Sequence, residues 1–172
     1  MSAEILTVTP MSGQFPEQHF GSHFNSRLWV KFVDNEFGEW IGCFSKSSEH
    51  GLCAALINQD NSKGFVVAGG QGYLIDIHKK ILLLELDDQP LIESVIATTK
   101  PDYFLAGTFC SIYVLVDSGL LKEIRPDMII DGIYFKGQKN NSAIGDLATV
   151  ENQYSENIDF EFDLSTFQLR LQ

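Results

Sequence analysis

The sequence predicts a mainly β, antiparallel fold made of four repeated meander or hairpin units of about 42 residues. A strand–Asp–turn–strand pattern recurs as WVKFVDNEFGEWIGCF from Trp29, YLIDIHKKILLLEL from Tyr73, IYVLVDSGLLKEI from Ile112 and IDFEFDLSTFQLRL from Ile158. Its aspartates, Asp34, Asp76, Asp117 and Asp163, are 42, 41 and 46 residues apart. Short runs closed by glycine precede the later copies: Phe65–Gly69, Tyr103–Gly107 and Ile133–Gly137. Thirteen Phe and fourteen Gly, with little helical periodicity, also favour strands over helices. A propeller-like, radial arrangement fits the even spacing, with a β-sandwich or barrel as the alternative. Propeller repeats of this length often carry Gly-His and Trp-Asp pairs, and neither pair stands here.

Along the chain, Glu4–Val8 reads as a strand, and a short helix is expected near Pro16–Phe24. The first hairpin and an added strand, Leu52–Ile57, follow, then a polar loop from Gln59 to Gly64. Residues 65–97 read as four successive strands, the last open to a helical reading because Pro90 and Pro101 bracket it. Residues 103–131 repeat the pattern, Lys136–Ser142 reads as a polar turn, and Glu151–Asn157 reads as a polar loop. No linker divides the chain, so residues 1–172 are expected to form one domain.

An Asp at a strand end accepts hydrogen bonds from the amides just beyond it and so fixes a tight turn. That chemistry accounts for all four repeat aspartates without a functional role. Gly69-Gly70-Gln71-Gly72 has half the glycine pattern of a phosphate loop, but a strand follows it where anion binding needs a helix N-terminus. A hairpin bend is the expectation there. His19 and His23 have helical i, i+4 spacing, yet Gly21 separates them and no protease-type acid accompanies them. Asp76 and His78 share a strand face without an identifiable nucleophile, so no catalytic residue and no metal ligand is assigned. Three cysteines without CxxC spacing argue against a disulfide framework or zinc knuckle, and no cofactor is expected.

Charge is more informative. The net charge is −11: residues 1–62 hold seven acids and three bases, 63–139 ten and eight, and 140–172 six and one. This excess disfavours nucleic acid and anionic membrane surfaces as partners, because phosphates are bound by Lys and Arg. No apolar run reaches the ~20 residues needed for a membrane helix. With no basic leader before Glu4, a cytoplasmic location is expected.

Two segments combine acids with aromatic rings, a pairing suited to Lys and Arg. One is Asp34, Glu36, Phe37, Glu39 and Trp40. The other is Glu151, Tyr154 and Glu156 with Asp159, Glu161 and Asp163, which alternate with apolar residues and share one strand face. These residues are the expected partner-binding set. The functional expectation is a non-catalytic acidic module that binds a basic protein, most concretely an immunity-type antagonist of a nuclease-like toxin. The alternatives are a carbohydrate-active enzyme using paired carboxylates and a structural adaptor subunit.

Overall fold

A computed structural model describes residues 1–22, 26–34, 38–86, 91–149 and 157–172, with Asp34 described by its backbone alone. Every regular element among them is a strand. They are β1 (Ser2–Leu6), β2 (Glu17–Phe20), β3 (Arg27–Asp34), β4 (Gly38–Ser45), β5 (Ala54–Ile57), β6 (Lys63–Ala68), β7 (Gln71–Asp76) and β8 (Ile81–Glu85). Then come β9 (Ile92–Ala97), β10 (Phe104–Thr108), β11 (Ile112–Val116), β12 (Gly119–Ile124), β13 (Ile130–Lys139), β14 (Ser142–Thr149), β15 (Ile158–Asp163) and β16 (Leu169–Leu171). They form four four-stranded sheets, ordered β1-β3-β4-β2, β5-β6-β7-β8, β9-β10-β11-β12 and β13-β14-β15-β16, each with two open ends. All pairings are antiparallel except β2 with β4.

The chain divides into two compact units, Met1–Leu91 and Ile92–Gln172. In the first, Phe20, Leu28, Val30, Phe32, Trp40 and Phe44 of the first sheet share a core with Val66, Ala68, Tyr73, Ile75 and Ile77. The Tyr73 hydroxyl donates to the Ser45 carbonyl at 2.8 Å, so its one polar atom stays bonded inside that core. In the second unit, Leu105, Ile112 and Val114 pack with Ile133, Leu147, Phe160 and Phe162. Each fully buried Phe contributes about 2–3 kcal/mol through apolar area removed from water.

The three later sheets are sequential meanders whose third strands, β7, β11 and β15, end at or just before Asp76, Asp117 and Asp163. The first sheet differs. Its hairpin β3–β4 occupies the two inner positions, while β1 and β2 flank it. The helix expected near Pro16–Phe24 is instead strand β2, because pairing beside β4 satisfies its backbone: Glu17 lies opposite Ile41 and Phe20 opposite Phe44. Ile92–Ala97 is likewise a strand, paired to β10. The polar turn expected over Lys136–Ser142 shrinks to Asn140-Asn141, with Asn140 at φ +54°, because Gln138 and Lys139 still pair with Ala143 and Ser142.

The glycine-closed runs are not equivalent positions. Val66 pairs with Tyr73 and Ala106 with Tyr113, so the register aligns Val66 with Ala106, not Phe65 with Tyr103. Gly69 and Gly70 have φ +59° and +87°, the two positive values of a tight two-residue hairpin turn. Gly107 lies inside β10, where a Cβ would collide with the Ile133 carbonyl oxygen. Ile133–Gly137 belongs to the first strand of its sheet and ends at a bulge, between Phe135 and Gly137.

Candidate functional site

The second unit's last sheet turns one face to its core and arrays charge on the other. Phe160 and Phe162 are buried at 1% and 0%, and period two sends Asp159, Glu161 and Asp163 to the opposite face. Pairing with β14 sets Asp146 directly across from Asp159, and pairing with β16 sets Arg170 across from Glu161. Two carboxylates directly opposed repel. Lys136 on β13 relieves this, its Nζ lying 2.5 Å from Asp146 Oδ1 and 3.0 Å from Asp159 Oδ1. Hydrogen bonds to Asp146 and then Asp159 hold the lysine above its ordinary pKa, and the Lys136 bond holds Asp159 below the carboxylate range.

The other two carboxylates of β15 are also oriented from within. Glu161 Oε1 accepts from the Ser142 hydroxyl at 2.5 Å, and its Oε2 accepts from the Gln172 side-chain amide at 3.3 Å. Asp163 Oδ1 accepts from the Ser165 and Thr166 amides, each at 2.9 Å. The Thr166 amide, then that of Ser165, lowers the Asp163 pKa. The face therefore holds Asp146, Asp159, Glu161 and Asp163 against Lys136 and Arg170, four acids to two bases. The Asp159 side chain remains 63% exposed.

The first acidic segment is arranged otherwise. Glu39 Oε2 lies 2.8 Å from Lys31 Nζ, a surface ion pair. Trp40 is 3% exposed and stacks on Phe32 with ring centroids 4.5 Å apart, so its ring serves the core of the first unit. Glu36, Phe37, Glu151, Tyr154 and Glu156 lie outside the described residues, as does the side chain of Asp34. The sequence reading missed Asp146 and Lys136. Asp146 sits in an otherwise mild run, Ser142–Thr149, and only the β14–β15 register brings it to Asp159.

Among the repeat aspartates, Asp76 and Asp163 act on turns as expected, Asp76 Oδ1 accepting from the Lys79 amide at 2.9 Å. Asp76 is also 5% exposed and 3.4 Å from Lys63 Nζ. His19 lies on a strand rather than a helix, and its spacing partner His23 is outside the described residues. Among the described residues no group of three or more His, Cys, Asp or Glu is placed to hold a metal ion. Cys43, Cys53 and Cys110 are free thiols, and burial pushes the Cys43 thiol up. No helix among the described residues is long and apolar enough to cross a membrane.

A cavity of about 590 Å³ in the second unit is lined by Ala97, Thr99, Lys100, Gln138, Asn140 and Asn141, with no carboxylate among the described residues of its wall. Gln138 braces it, accepting from the Thr99 amide at 2.7 Å and donating to the Asn140 carbonyl at 2.8 Å.

No protein-family model matches the chain, and no curated protein matches it. Among solved structures the fold resembles Kuenenia stuttgartiensis hydrazine synthase, with a TM-score of 0.57 and 14% sequence identity. The match covers 97% of this chain and 52% of that one, so the chain spans about half the length of its structural neighbour. At this identity the likeness concerns the fold alone.

Proposed function

We propose that the chain is a non-catalytic acidic module that docks a basic protein, in its most concrete form a cytoplasmic antagonist covering the cationic site of a nuclease-like toxin. The carboxylate face of β14 and β15 is the observation that carries this reading. Its acids are held by Lys136, Ser142, Gln172 and the Asp163 turn, so a partner's Lys or Arg meets groups whose ordering entropy is already spent. A net charge of −11 adds long-range attraction, which raises the association rate with a cationic surface and disfavours acidic competitors.

A glycoside-cleaving alternative asks for a carboxylic acid raised in pKa inside a cavity. Asp60, Asp76, Glu123, Asp159 and Asp163 are all held below the ordinary carboxylate value, the reverse of what a general acid needs. These five stand as anions suited to a cationic partner.

The test is affinity capture from the native cell, followed by binding kinetics of the purified partner across salt concentrations. Neutralising Asp159→Asn with Glu161→Gln should slow association severalfold and flatten its salt dependence while leaving the circular dichroism spectrum unchanged. Association that ignores both salt and the double variant overturns the reading.

A further inference from the structure

The last strands β8, β12 and β16 each end their sheet, and among the described residues one row of their backbone amides and carbonyls has no neighbouring strand. Such edges invite pairing with another chain, and a charge in mid-strand is a common guard. β12 carries Lys122 and β16 carries Arg170 at that position. β8 carries none. It runs Ile81-Leu82-Leu83-Leu84, and the first three side chains are 45%, 38% and 36% exposed.

The contrast with β12 is exact in register. Tyr73 pairs with Glu85 and Tyr113 with Glu123, while Ile75 pairs with Leu82 and Leu115 with Leu120. Each strand has a bulge between these pairs, leaving Leu83 and Leu121 without direct opposites. The next residue is Leu84, opposite Leu74, in β8 and Lys122, opposite Val114, in β12. The same local framework thus has its guarding lysine on one edge and a fourth apolar residue on the other.

The flanks of this apolar run identify its partner. Lys79 and Lys80 precede it and Glu85 closes it. Reversed and laid against itself, the segment sets Lys80 opposite Glu85, Ile81 opposite Leu84 and Leu82 opposite Leu83. That is the self-complementary arrangement a twofold axis requires. Lys80, the residue this register sets across from Glu85, has its Nζ 5.9 Å from the Trp40 ring centroid of its own copy, and Lys79 is 73% exposed beside it. We propose that β8 is the docking edge for a second copy of this chain, whose own β8 adds antiparallel about a twofold axis. The contact buries Ile81, Leu82 and Leu83 of both copies and is independent of the acidic face.

Light scattering after size exclusion, over about a hundredfold range of concentration, tests it. The expected mass is twice the 19.3 kDa of one chain, falling to one chain on dilution. Leu83→Lys should be monomeric with an unchanged circular dichroism spectrum, whereas Leu121→Lys should keep the wild-type mass. The paired variant Lys79→Glu/Lys80→Glu and the variant Glu85→Lys should each be monomeric alone and form a dimer when mixed. A wild-type chain monomeric throughout, equal loss of mass in both leucine variants, or charge variants that fail to pair on mixing would overturn the proposal.

Discussion

Asp76 joins two roles in one side chain. Burial pushes its pKa up, but the bond from the Lys79 amide and the charge of Lys63 outweigh burial and hold it below the ordinary carboxylate value. Its own side chain is 7% exposed and that of Lys63 is 15% exposed, so removing one charge strands the other in a poor solvent. Asp76→Asn should lower unfolding stability by about 2 kcal/mol in urea titration. Asp76→Leu with Lys63→Met should recover part of that loss, because an apolar pair needs no partner charge while the Lys79 amide still loses its acceptor. The turn role was legible in the sequence, since an Asp at a strand end followed by polar residues has little else to do. Its partner was not: Lys63 lies 13 residues earlier, across the β6–β7 register, and no local pattern reports it.

The same division between local and paired information holds for strands and hairpins. Alternation exposed the carboxylate face of β15, but Asp146 and Lys136 reach it only through pairing with β14 and β13. Strand β2 was read as a helix because four residues carry almost no periodic signal; its hydrogen-bonding partner β4 decides the matter. The β15–β16 hairpin tests how far a local turn signal controls an element. Phe167 sits there at φ +56°, unfavourable for a bulky residue, while its amide donates to the Asp163 carbonyl at 2.8 Å. The Asp163 carboxylate holds the same turn through Ser165 and Thr166. Asp163→Ala should therefore accelerate amide hydrogen exchange at Ser165, Thr166 and Leu169–Leu171, with β13 and β14 remaining protected. Uniform exchange across the whole sheet would show that the hairpin is held by its packing and not by its turn.

Across the molecule, two opposing electrostatic effects set the response to acid. The first unit holds eleven acids and six bases and the second twelve and six, giving −5 and −6. Protonating carboxylates relieves that self-repulsion and favours the folded state. Against it stand the carboxylates held below their ordinary values: Asp60 by Ser62, Asp76 by Lys79 and Lys63 despite burial, Glu123 by Arg125, Asp159 by Lys136, and Asp163 by the Thr166 amide. A carboxyl with a depressed folded pKa stabilises the fold fully above its unfolded value, about 3.9 for Asp and 4.3 for Glu, and loses that contribution as pH falls through the folded value. The repulsion is spread over exposed charges and is screened within about 8 Å at physiological salt. The bonds to these carboxylates act at contact distance and escape most of that screening. Contact should win. Urea midpoints at physiological salt should be nearly level from about pH 7 to pH 5 and fall steeply below about pH 4. A midpoint that rises between about pH 5 and pH 4 would mean that relief of repulsion outweighs these bonds, and that the carboxylate face is held less firmly than its geometry indicates.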